Sequence, residues 1–75
     1  MLRKKVELIF PERLIKEPVI YQVGKKFRVV TNIFRADVNE SKGWVILELD
    51  GEQEEIDKSI QYLKALGIEV KELED

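Results

Sequence analysis

Asn32 is the residue most open to a chemical reading, because it interrupts an apolar row formed by Val30, Phe34, Ala36 and Val38. A carboxamide both donates and accepts hydrogen bonds, so beside a pocket near the first helix it could orient a polar ligand. The structural alternative is an amide near the strand end, bonded to a neighbouring loop as buried amides normally are. Pro18 and Val19 form a second candidate, beside a wall that the connector Leu14 to Pro18 and Gly24 could make. Proline suits the first position of a helix, and the free N–H groups of that turn can receive a carboxylate. Every α-helix has such an end, so this feature alone is not specific. A third cluster, Glu52, Glu54, Glu55 and Asp57, imitates a divalent-metal site. Its spacing matches no EF-hand loop, and acids at a helix start complement the helix dipole, so no metal ligand is assigned.

The chemistry that is missing narrows the choice further. The chain has no Cys and no His. That excludes disulfides, iron–sulfur ligation, thiolate zinc sites and nucleophiles activated by His. Carboxylates or a Lys remain, but no spacing nominates a pair, and the expectation is a binding domain without a cofactor rather than an enzyme. Charged residues make up 37% of the chain, yet they leave a net charge of only −2, which argues against a nucleic-acid partner. The one basic run, Arg3-Lys4-Lys5, reads as a solvated strand start. No apolar run approaches the ~18 residues of a membrane span, and no signal peptide is recognisable, so a cytoplasmic location is expected.

The elements that must position these residues follow from periodicity. Residues 5–10 alternate Val6, Leu8 and Phe10 against Lys5, Glu7 and Ile9, the pattern of a strand with one buried face. After Pro11 and a connector, Ile20, Val23 and Phe27 fall on one helical stripe beside Val19. Gly24 in that helix suggests a close backbone approach to the sheet. Residues 28–39 read as a long strand, with Val30, Asn32, Phe34, Ala36 and Val38 inward and Val29, Thr31, Ile33, Arg35 and Asp37 outward. A turn at residues 40–43 leads to a return strand with Val45, Leu47 and Leu49 inward. Ile56, Ile60, Leu63 and Leu66 build a second helix that Gly67 stops. Ile68 and Val70 belong to a last strand, with residues 72–75 fraying. The order βαββαβ with right-handed crossovers predicts one α+β domain over residues 1–75. Its four-stranded antiparallel sheet has strand order 4-1-3-2 and two helices on one face, the ferredoxin-like arrangement.

Covering one face leaves the other open, and it is not polar throughout. Ile9, Val29, Ile33, Trp44 and Ile46 are all expected there, a patch that suits a homodimer or protein contact. The competing expectation is that Arg35, Glu7 and Lys71 lie over these groups and screen them.

Four stretches resemble the NIL domain family: Glu17-Pro18-Val19-Ile20-Tyr21, residues 30–38, residues 43–51 and residues 60–70. The family is named for an Asn-Ile-Leu motif, which here stands as Asn32-Ile33-Phe34. The resemblance implies a ferredoxin-like fold related in shape to ACT regulatory domains. It also implies the regulatory end of a methionine-importing ABC transporter ATPase, where such domains dimerise and bind methionine. Other members are fused to ferredoxin-type domains in sulfur assimilation. The functional expectation is therefore an amino-acid-sensing homodimer, with Asn32 raised as a ligand residue and a transporter ATPase or ferredoxin-type partner. The alternative is a module in sulfur or iron–sulfur metabolism that docks a partner through its open sheet face. With neither an ATPase core nor cluster cysteines, the chain is expected to be an excised domain or a free-standing member.

Overall fold

The computed structural model describes residues 2–73. Strand β1 (Leu2–Phe10) is followed by a short 3-10 turn (Glu12–Leu14) and helix α1 (Val19–Lys26). Strands β2 (Val29–Val38) and β3 (Gly43–Gly51) form a hairpin, and helix α2 (Gln53–Ala65) and strand β4 (Glu69–Leu73) complete the chain. The antiparallel sheet runs β2-β3-β1-β4, the expected order read from the other edge. The last strand is longer than its sequence suggested: Glu72 pairs with Val6 and Leu73 with Lys5. The fraying expected of Glu74 and Asp75 lies outside the described residues.

The core is a single layer between sheet and helices. Val6, Leu8 and Phe10 from β1 and Val45, Leu47 and Leu49 from β3 meet Val19 and Val23 of α1 and Ile56, Ile60 and Leu63 of α2. These two central strands are covered on one face only, so their alternation is clean. Helix α2 ends as its glycine dictates. Gly67 adopts φ +97°, the Ile68 N–H donates to the Leu63 carbonyl at 3.2 Å and the Gly67 N–H to the Lys64 carbonyl at 3.0 Å. Arg13 also donates to the Leu66 carbonyl, fastening the connector to this helix end. The hairpin turn is organised by Asn39, whose Oδ1 accepts the N–H groups of Ser41 and Lys42, each at 2.9 Å.

Strand β2 departs from its expected facing. Directly opposed residues of an antiparallel pair share a face, and Val29, Thr31 and Ile33 stand opposite Gly51, Leu49 and Leu47. They therefore belong to the helix side, while Val30 and Asn32, opposite Asp50 and Glu48, belong to the open side. A bulge between Ile33 and Arg35 inserts Phe34 and reverses the phase. Beyond it Arg35 and Asp37 lie on the open side and Ala36 and Val38 on the helix side, as expected. Phe34 turns to the open side, where the Lys5 ammonium stands 4.5 Å from its ring centre. Gly24 also differs from expectation: it is exposed, and a Cβ there would meet nothing within 4 Å.

Candidate functional site

The residues expected to form one ligand site separate in space. Pro18 and Val19 line a cavity of about 240 Å³ between the start of α1, the connector and the ends of β1, β2 and β3. Asn32 is exposed on the opposite side of the sheet, so it does not reach that cavity. It was expected inside an apolar row; the bulge at Phe34 puts it outside.

The cavity wall is built by sequence features that are individually ordinary. Pro11 ends β1, and the 3-10 turn then brings Leu14 and Ile15 over Phe10 and Gly43. Gly43 leaves the floor open: a Cβ there would lie 3.2 Å from the Cβ of Phe10 and 3.7 Å from Cγ1 of Ile15. Val38, on the edge strand, and Val45 supply the sheet side. The lining is apolar except where helix α1 begins, beside Glu17. There the Val19 N–H is taken by the Glu17 carbonyl at 2.8 Å, while the Gln22 N–H donates to the Pro18 carbonyl at 3.0 Å. The N–H groups of Ile20 and Tyr21 have no acceptor among the described residues. A small molecule with an apolar side chain and a carboxylate would match both parts of this lining.

The expected interaction patch is also divided. Trp44 and Ile46 do lie on the open face, with Ile9 opposite Trp44. Val29 and Ile33 lie on the helix side instead, Val29 buried and Ile33 52% exposed. Trp44 is occupied from two directions. Its Nε1 donates to Glu7 Oε2 at 2.9 Å, and the Arg35 guanidinium carbon stands 5.6 Å from its ring centre. Ile46 is flanked by the same two residues, Glu7 on β1 and Arg35 on β2. The screening expected of Arg35 and Glu7 is thus present. What the sequence reading missed is the edge: Val30, Ile33, Phe34 and Val38 of β2 are all large, apolar and exposed.

The acids at the start of α2 serve the fold. The Arg28 N–H donates to Glu55 Oε1 at 2.9 Å, and this bond, with Lys58 nearby, holds the Glu55 carboxyl below its usual pKa despite partial desolvation. Lys58 reaches both Glu54 at 3.2 Å and Glu55 at 3.4 Å, which raises its own pKa. Asp57 accepts from Gln53 Nε2 at 2.7 Å. Among the described residues no group of acids is placed to hold a metal ion, and no helix is long and apolar enough to cross a membrane.

Comparison with known proteins places this geometry. A family model described as the NIL domain matches residues 4–72. The chain belongs to the NIL domain family. The iron-sulfur subunit of L-aspartate semialdehyde sulfurtransferase from Methanocaldococcus jannaschii is 36% identical to this NIL domain, over 96% of the chain and 54% of that protein. A methionine import ATP-binding protein of Listeria monocytogenes is 33% identical, over 95% of the chain and 22% of that protein. The corresponding Helicobacter pylori protein is 26% identical, over 91% and 22%. The NIL domain therefore spans between about a fifth and about half of these relatives. The C-terminal domain of an ABC transporter ATP-binding protein from Enterococcus faecalis superposes with a TM-score of 0.82 at 24% identity, over 96% of this chain and 84% of that one. That likeness establishes a shared fold.

Proposed function

We propose that this NIL domain is a non-catalytic regulatory domain that binds methionine or a related apolar amino acid and acts as a homodimer. The cavity at the start of α1 carries the reading. Its volume of about 240 Å³ suits one amino acid and falls short of the ~300 Å³ at which drug-sized sites begin. Its walls are mostly apolar, Glu17 being the one charged lining residue, and the acceptor-free amide groups of Ile20 and Tyr21 offer donors to an α-carboxylate. In this reading Pro18 and Val19 are ligand-wall residues, and Asn32 lies outside the site, on the other side of the sheet. Relatives that carry "methionine import" in their names make methionine the first ligand to test.

Titration calorimetry with methionine should show saturable heat at millimolar ligand or below, and thermal unfolding should shift upward. At a ligand concentration a hundredfold above Kd the gain is about 2.7 kcal/mol. Ile15→Trp, which fills the cavity lip, should abolish the heat while leaving the fold intact by circular dichroism. Silence with methionine and every other amino acid sinks the sensor reading. The second reading would then stand: a module that docks a partner in sulfur or iron–sulfur metabolism, favoured by the 36% identity to an iron-sulfur subunit.

A further inference from the structure

One wall of the ligand cavity is held differently from the others. Phe10, Val38, Gly43 and Val45 belong to strands whose backbones are locked in the sheet ladder. Leu14, Ile15, Glu17 and Pro18 belong to the connector, which curls on itself. Its amides bond locally: Leu14 to the Pro11 carbonyl at 3.0 Å, Ile15 to Glu12 at 3.2 Å and Glu17 to Leu14 at 3.1 Å. Leu14 is buried and anchors the connector in the core. Arg13 does not line the cavity, and it donates instead to the carbonyl of Leu66, 53 residues along the chain. Among the described residues no other side-chain hydrogen bond joins the connector to another element.

The receiving end is shaped for that contact. Leu66 caps α2, so its carbonyl is one of those a helix leaves without an internal partner. Gly67 follows, and a Cβ on it would lie 2.5 Å from a guanidinium nitrogen of Arg13. The φ of +97° already calls for glycine here, and the same missing side chain leaves the guanidinium its path. Capping alone does not account for the reach of Arg13. Lys64 already places a cation in the last turn of α2, where it complements the helix dipole.

We propose that Arg13 is a positioning residue for the amino-acid cavity: by latching the connector to the end of α2, it fixes the wall that the sheet does not hold. The proposal rests on the ligand reading above and gives it a route outward. If the latched wall binds the amino acid better, the amino acid must favour the latched wall by the same factor. Occupancy is thereby carried from the cavity to Leu66, Gly67 and the entrance of β4.

Hydrogen exchange of individual amides tests the latch without any ligand. In Arg13→Gln the amides of Leu14, Ile15 and Glu17 should exchange about tenfold faster, the factor expected of one lost charged hydrogen bond. Those of Leu8 and Leu47 in the central strands should keep their rates. Methionine should leave Arg13→Gln about tenfold faster than it leaves the parent chain. Arg13→Lys, which keeps a charged donor, should recover most of that difference. Saturating methionine should also slow exchange at Gly67 and Ile68 in the parent but not in Arg13→Gln. Acceleration confined to Gly67 and Ile68 would mean that Arg13 only caps α2, and equal acceleration at every amide that it only stabilises the fold. Either result overturns the latch, as does a methionine dissociation rate that a loosened connector leaves unchanged. A parent chain that takes up no amino acid overturns the ligand reading, whatever the connector amides do. Unchanged connector amides overturn the latch, whatever the ligand does.

Discussion

Glycine has opposite meanings at two places in this chain, and the same substitution should separate them. Gly24 sits in an eight-residue helix with open space where a side chain would be. Its missing Cβ costs backbone entropy and relieves no clash, so Gly24→Ala should stabilise the domain by about 0.5–1 kcal/mol. Gly51 is different. A Cβ there would come 2.7 Å from the Arg28 carbonyl oxygen and 3.3 Å from Cγ1 of Val29, and that backbone is the paired start of β2. Gly51→Ala should therefore cost about 1–3 kcal/mol, as overpacking usually does. Urea midpoints of the two variants against the parent chain check both signs in one experiment. The sequence pattern marks Gly24 as anomalous but offers no means of telling close approach from simple tolerance.

Elements are held together here by a few charge-assisted contacts whose pH dependence can be assigned. Glu55 on α2 accepts the N–H of Arg28, the residue before β2, and Lys4 on β1 meets Glu72 on β4 at 2.6 Å. Both carboxyls are held below the usual glutamate pKa, Glu55 chiefly by the Arg28 amide and Glu72 chiefly by its hydrogen bond to Lys4. Their stabilisation is therefore fully present above the ordinary glutamate value and is lost as pH falls through the lowered folded values. The Lys4 ammonium, raised by Glu72, loses its share only as pH climbs through a value above the lysine norm. Thermal unfolding of Glu55→Gln against the parent should show its largest deficit near neutrality and a shrinking one toward pH 3; a constant deficit would mean the carboxylate charge is irrelevant. The order and type of these elements were legible in the sequence because β1 and β3 are central strands with one buried face. In such strands burial writes the alternation directly. Strand β2 was misfaced for two physical reasons. As an edge it has apolar residues on both sides, so alternation carries little information, and the extra Phe34 reverses the phase halfway along. Asn32, Val29 and Ile33 were assigned to the wrong sides by that one residue. The cavity, assembled from a proline stop, a connector and the close approach that Gly43 permits, has no local sequence period to announce it.

For the whole molecule, the position of Val38 ties two proposals into one measurable quantity. Val38 lines the ligand cavity and is also exposed along the free edge of the sheet, where a second copy could reach it. A ligand that fixes Val38 changes the surface offered to the second copy, and a second copy that fixes Val38 changes the cavity wall. Binding and dimerisation should therefore be coupled, and thermodynamic linkage makes the coupling reciprocal. The factor by which methionine tightens the dimer must equal the factor by which dimerisation tightens methionine, a typical coupling being about 5–150-fold. Sedimentation with and without saturating methionine gives the first factor. Methionine titrations above and below the dimer dissociation constant give the second. Val38→Ala should reduce both together, because it removes contact on each side of the same residue. If methionine binds and the chain dimerises but the two factors are both unity, the cavity and the edge are independent features. The domain would then transmit ligand occupancy by some route other than Val38.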